Sequence, residues 1–146
     1  MSPAQYLELE RQAERKSEYF RGEMFALPGA TRKHCLIATN VIVACAPQFA
    51  DDQQDTLLNP VALIEVLSKS TRDYDRGEKF EHYRTLQSLT EYLTVAQDRP
   101  HIEHWVRQDN GWRLVEYADL TQTIQLASIG TALPLAEIYD KVDFAA

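Results

Sequence analysis

Val61-Ala62-Leu63-Ile64-Glu65-Val66-Leu67 is an apolar run interrupted by a single carboxylate, and it passes directly into the polar stretch Ser68-Lys69-Ser70-Thr71-Arg72-Asp73-Tyr74-Asp75-Arg76-Gly77-Glu78-Lys79. The first segment reads as a buried strand. The second reads as a loop entering a helix near Ser70 or Asp75, each of which has an acidic residue three positions on, with Phe80, Tyr83 and Leu86 facing inward. Glu91-Tyr92-Leu93-Thr94-Val95 then forms another strand. Strand, helix and strand in that order define an α/β chain. An ionised group in a buried strand costs several kcal/mol unless a cation, a metal or strong hydrogen bonds compensate it, which marks Glu65 as a functional candidate. The alternative is a strand-end glutamate turned to solvent or paired with a nearby arginine.

Outward from this unit, Ser2-Pro3-Ala4-Gln5 has the form of a capping box with proline at the first helical position, predicting a helix to about Lys16. Glu18-Tyr19-Phe20 and Glu23-Met24-Phe25-Ala26-Leu27 flank Arg21-Gly22 as a hairpin. Thr31 can cap a second helix with His34, Ile37 and Val41 on one face, although Val41-Ile42-Val43-Ala44-Cys45 reads equally as a buried strand. Residues 46–60 form a loop. A second hairpin, His101 to Arg107 and Trp112 to Tyr117, turns at Asp109-Asn110-Gly111. A strand at Thr123 to Ala127 and a short helix around Pro134 to Tyr139 follow.

The chain of 146 residues, 45% of them apolar, is expected to form one domain over 1–146. It has no apolar run near the length of a membrane span and no secretion signal at Met1-Ser2-Pro3, so a cytoplasmic location without membrane contact is expected. Cys35 and Cys45 lack metal or redox spacing and are expected in the core. A net charge of −7 excludes a broad nucleic-acid-coating surface, and any such binding must be local.

Glu65 at a strand end, hydroxyls at Ser68, Ser70 and Thr71, Asp75, and Lys79 in the first turns of the next helix suit phosphodiester hydrolysis. A hard cation such as Mg²⁺ takes carboxylate oxygens and water, and a lysine can orient the attacking water and offset phosphorane charge. The same lysine fits a solvated helix face equally well. His101 and His104, three apart on a strand, fall on opposite faces and do not suit a shared metal ion. Trp105 and Trp112 suit packing better than base stacking, and His34 is either a site-edge residue or a buried, hydrogen-bonded histidine.

The run Ile64-Glu65-Val66-Leu67-Ser68-Lys69-Ser70-Thr71, then Tyr74-Asp75-Arg76-Gly77-Glu78-Lys79-Phe80 and Tyr83-Arg84, resembles the signature of the restriction-endonuclease family often called Uma-two, a branch of the PD-(D/E)xK nuclease superfamily. The likeness extends to Tyr6-Leu7, Gly22-Glu23, His34-x-x-Ile37-x-x-Asn40, Glu91-Tyr92-Leu93 and Leu133-Pro134-Leu135. It implies a restriction-endonuclease-like α/β core, a mixed β-sheet flanked by helices, with an N-terminal helix and hairpin and a C-terminal hairpin extension. The implied activity is DNA cleavage dependent on Mg²⁺ or Mn²⁺, for which a homodimer would suit a two-stranded substrate. By position, Glu65 is the acidic metal ligand, Lys79 takes the role of the superfamily's lysine, whose usual place holds Leu67, and Glu23 is an additional candidate metal ligand. Lys69 stands where the family usually has proline. The resemblance also exposes a departure. In that family a few tens of residues, including a metal-binding aspartate, separate the helix ending at Asn40 from the strand matching Val41 to Cys45, whereas here Asn40 abuts Val41. Loss of that aspartate opens a second expectation, a noncatalytic DNA-binding or self-associating remnant.

Overall fold

Ser2 caps the first helix, α1 (Pro3–Gln12): its hydroxyl accepts from the Gln5 backbone at 3.2 Å while the Gln5 side chain accepts from the Ser2 backbone at 2.8 Å. This computed structural model describes residues 1–14, 17–20, 22–26, 31–44, 59–67 and 75–144. The chain forms two compact units, Met1–Ala30 and Thr31–Ala146. In the first, α1 stops short of the predicted Lys16 because the Glu10 carboxylate reaches forward to the Ser17 amide (3.0 Å) and hydroxyl (2.6 Å), drawing the chain into a strand. Strands β1 (Ser17–Phe20) and β2 (Glu23–Ala26) form the predicted hairpin. Its turn holds Gly22 at φ 90°, a conformation glycine adopts without steric cost.

The second unit opens with α2 (Arg32–Ala44), where Thr31 acts as the predicted cap by accepting from the His34 amide at 3.1 Å. The helix runs through Asn40-Val41 to Ala44, so of the two readings open for this stretch, helix and buried strand, residues 41–44 take the helix. β-branched residues favour strands only weakly, and extending an existing helix needs no new nucleus. Ile37 is fully buried. Cys35, expected in the core, is exposed because two positions along a helix turn it some 200° away from Ile37. Cys45 and the loop predicted up to residue 58 lie outside the described residues.

Four strands make the main sheet, β3 (Ala62–Leu67), β4 (Glu91–Ala96), β5 (Ile102–Gln108) and β6 (Gly111–Tyr117), in that spatial order. β3 and β4 are parallel, while β4, β5 and β6 are antiparallel neighbours, so the sheet is mixed. A parallel pair needs a crossover of a dozen or more residues. Here the crossover includes a π-helical turn, Asp75–Lys79, running into α3 (Phe80–Tyr83). α3 ends at Tyr83, which is why Leu86, predicted inward, is 36% exposed. Ser68, Ser70 and Thr71 lie outside the described residues.

Every residue of β4 is buried, so both faces of the sheet are covered. On one face Leu93, Val95 and Ile102 pack with Ile37 and with residues of a small antiparallel pair, β7 (Thr123–Leu126) and β8 (Thr131–Pro134), and of α4 (Leu135–Ile138). β8 is an addition to the predicted elements: Thr-Ala-Leu-Pro carries almost no strand signal and is held by its pairing with β7. Tyr139 closes this end, its hydroxyl 3.0 Å from both the Ala96 and His101 carbonyls, and burial pushes the phenol up to about 12. On the other face Phe80 stacks on Tyr92 (5.2 Å between ring centroids) and packs against Trp105 (4.9 Å) and Trp112 (5.4 Å), so both tryptophans serve the core as expected.

Arg107 locks the crossover to the sheet. Its Nε donates to the Leu89 carbonyl at 2.6 Å, its Nη2 donates to those of Leu86 (2.7 Å) and Arg84 (2.9 Å), and its guanidinium lies 4.6 Å from the Trp112 ring centroid. Lysine has neither the fork nor the planar face to replace it. Arg107→Lys should therefore lower stability by about 1–3 kcal/mol, read as a lower urea midpoint at unchanged slope.

Candidate active site

Period-two alternation and strand register decide which side of the sheet Glu65 meets. Ile64 and Val66 pack with the larger apolar cluster, while Leu63 packs on the Phe80 side. Glu65 therefore faces the crossover, where the π-helical turn delivers Lys79. Lys79 Nζ lies 3.0 Å from Glu65 Oε1, with side-chain exposures of 8% and 25% respectively. Tyr83, four residues on and so on the same helical face, donates its hydroxyl to the same Oε1 at 3.1 Å. Lys79 Nζ also stands 6.0 Å from the Tyr83 ring centroid. π-Helical turns recur at functional sites because the wider turn re-aims side chains.

The polar row continues across the sheet. Glu65 is the cross-strand neighbour of Thr94, and Thr94 of Glu103. The Thr94 hydroxyl donates to Glu103 Oε2 at 3.0 Å, and Glu116, opposite Glu103, lies 3.1 Å from His101 Nε2. The structure thus brings the predicted Glu65 and Lys79 together. It adds Tyr83 and Thr94, which had not been singled out as site residues. The i, i+4 spacing of Lys79 and Tyr83 was a readable signal, whereas Thr94 required the strand register. Glu23 is exposed on β2 in the first unit. His34 is half-buried.

His104 takes the opposite face, as its spacing from His101 requires, and is 3% exposed. Its Nε2 lies 3.2 Å from Glu91 Oε1. Glu91 Oε2 accepts from the Ser128 amide at 3.1 Å and from the Ser128 hydroxyl. Burial holds His104 below its ordinary value of 6.5, with the Glu91 charge opposing in part and Arg113 reinforcing. A base depressed on folding binds fewer protons folded than unfolded, so stability falls as pH drops below about 6.5 and levels off under the folded value. Melting temperature should decline more steeply between pH 6.5 and 5.5 in the wild type than in His104→Gln; parallel profiles would refute this.

Among the described residues no group of three or more His, Cys, Asp or Glu side chains is placed to hold a metal ion. No described helix is long and apolar enough to cross a membrane.

A mixed sheet flanked by helices, with the structural match that follows, places this chain in the restriction-endonuclease-like class of α/β folds. The fold matches, with a TM-score of 0.71, a crystal structure from Anabaena variabilis titled "a putative nuclease belonging to DUF820", covering 95% of this chain and 97% of that one at 14% identity. The chain belongs to the Uma2 family, whose model, described as "Putative restriction endonuclease", matches residues 41–136. Two relatives from Synechocystis are similar along most of their length. "Uncharacterized protein sll1609" is 29% identical over 153 residues, 80% of this chain and 86% of the relative. "Uncharacterized protein slr1290" is 28% identical over 182 residues, 99% of this chain and 94% of the relative. An alignment of 182 positions against a chain of 146 leaves some three dozen positions opposite no residue here. Across Asn40-Val41 the helix α2 is continuous.

Proposed function

We propose that this chain is a divalent-metal-dependent DNA endonuclease whose reaction centre is the Glu65–Lys79 pair. The observation that carries the reading is the 3.0 Å contact between a strand carboxylate and a largely buried lysine, in a family described as restriction endonucleases. The donor chemistry suits Mg²⁺ or Mn²⁺, which take one or two carboxylates and otherwise keep water and substrate phosphate. Glu65 would hold the ion, and the bound ion would supply Lewis-acid polarisation of the phosphate and an activated water. Lys79, within reach of the same carboxylate, orients the attacking water and offsets charge developing on the phosphate.

A second reading has its own support. The relatives carry some three dozen positions that this chain lacks. This favours a noncatalytic DNA-binding protein on the same scaffold. Supercoiled plasmid separates the two. The nuclease reading expects nicking with Mg²⁺ or Mn²⁺ that chelator abolishes and that Glu65→Ala and Lys79→Ala lack. Wild-type protein that shifts DNA in a gel and leaves it intact would establish the second.

A further inference from the structure

We propose that Tyr83 is a positioning residue of this site, setting the plane of the Glu65 carboxylate while its ring keeps Lys79 against the same oxygen. The proposal rests on the nuclease reading above and deepens it.

The last torsion of a glutamate is broad and nearly two-fold, so side-chain rotamer preference does not fix where its oxygens point. Directional hydrogen bonds do. An ammonium is a compact charge with three rotatable donors and tolerates many carboxylate orientations. A phenol has one O–H, carried by a ring whose place is set by packing. Tyr83 meets that description: its ring lies 5.6 Å from the Tyr92 ring, in the cluster built on Phe80, and its hydroxyl donates to Glu65 Oε1 at 3.1 Å. Lys79 Nζ contacts the same oxygen at 3.0 Å and sits 6.0 Å from the Tyr83 ring centroid. The two donors converge on Oε1 from one helical face. The carboxylate therefore meets a cation or a phosphate-bound water in one orientation and does not sample several.

Partners that orient a metal-binding side chain typically change metal affinity or activity by about 10–100-fold when removed. Tyr83→Phe keeps the packed ring and deletes only the hydroxyl. It should melt within a few degrees of the wild type, bind Mn²⁺ about tenfold more weakly in a titration followed by water-proton relaxation without DNA, and lower kcat about as much at unchanged KM. A merely structural role would move the melting temperature and leave Mn²⁺ affinity alone. Mn²⁺ binding and kcat within twofold of a wild type that itself binds and cleaves would overturn the role of Tyr83 alone. A wild type that neither binds Mn²⁺ nor nicks plasmid would overturn the nuclease reading, and this proposal with it.

Discussion

Glu65→Gln is expected to reduce metal-dependent nicking by at least about a hundredfold and to destabilise the protein at the same time, because on the proposed nuclease reading one carboxylate serves both roles. The stability part follows from the unequal burial of the pair. Lys79 is 8% exposed and Glu65 25%, so removing the glutamate leaves the deeper ion without this partner, whereas removing the lysine leaves a carboxylate that water can reach. Breaking a fully buried pair costs about 3–5 kcal/mol, and the partial exposure here reduces that to about 1–3 kcal/mol. Lys79→Met should cost less stability than Glu65→Gln and an equal share of activity. The double variant, with no buried charge left over, should recover most of the stability and none of the cleavage. Urea unfolding and plasmid nicking of the four proteins measure both. If the double variant is as unstable as Glu65→Gln, the pair is not the source of the loss; if it cleaves, the reaction centre lies elsewhere.

Phe80→Ala carries the largest expected effect on stability. Phe80 is 7% exposed, touches the rings of Tyr92, Trp105 and Trp112, and follows Lys79 directly in sequence. Deleting a packed phenylalanine removes its transfer free energy and leaves a cavity that three rigid rings cannot collapse to fill, at about 3–5 kcal/mol. For a unit of this size that corresponds to a fall of roughly 10–20 °C in melting temperature. Phe80→Leu, which refills much of the volume, should lose less than half as much. Calorimetry of the two variants tests this, and equal losses would show that ring packing is not what holds the crossover. Nicking by Phe80→Ala should also drop below that of Phe80→Leu, because the residue anchors the turn that presents Lys79.

Much of this was legible from residue order. The capping box at Ser2, the Gly22 hairpin and the Thr31 cap each rest on local chemistry acting over a few residues and formed as read. The strand carrying Glu65 formed where expected but is half-buried and not buried, because it pairs on one side only among the described strands. The pairing of Glu65 with Lys79 was accessible through the family resemblance but not through spacing, which fitted a solvated lysine equally well. What resisted reading depended on partners distant in sequence. The end of α1 is set by Glu10 bonding to Ser17, β8 exists through β7, and Cys35 is exposed because the helix phase is fixed by what Ile37 packs against. Val41 to Ala44, open to helix or strand in the sequence, took the helix, since helix continuation prevailed over the local preference of their β-branched side chains. The site partners Thr94 and Glu103 could be placed only once the register of three strands was known.

The parallel pairing of β3 with β4 makes the two stretches flanking this site unequal in the insertions and deletions they can absorb. Successive strand residues point to opposite faces, so gaining or losing one residue within β3 ahead of Glu65, with the pairing of Ala62 to Glu91 held, would turn the carboxylate toward Leu93 and Val95. An aliphatic side chain would then stand before Lys79. Length changes ahead of the first paired residue shift no residue across the sheet. In chains of this architecture, length variation is expected to collect before the strand and to stop at its first paired residue.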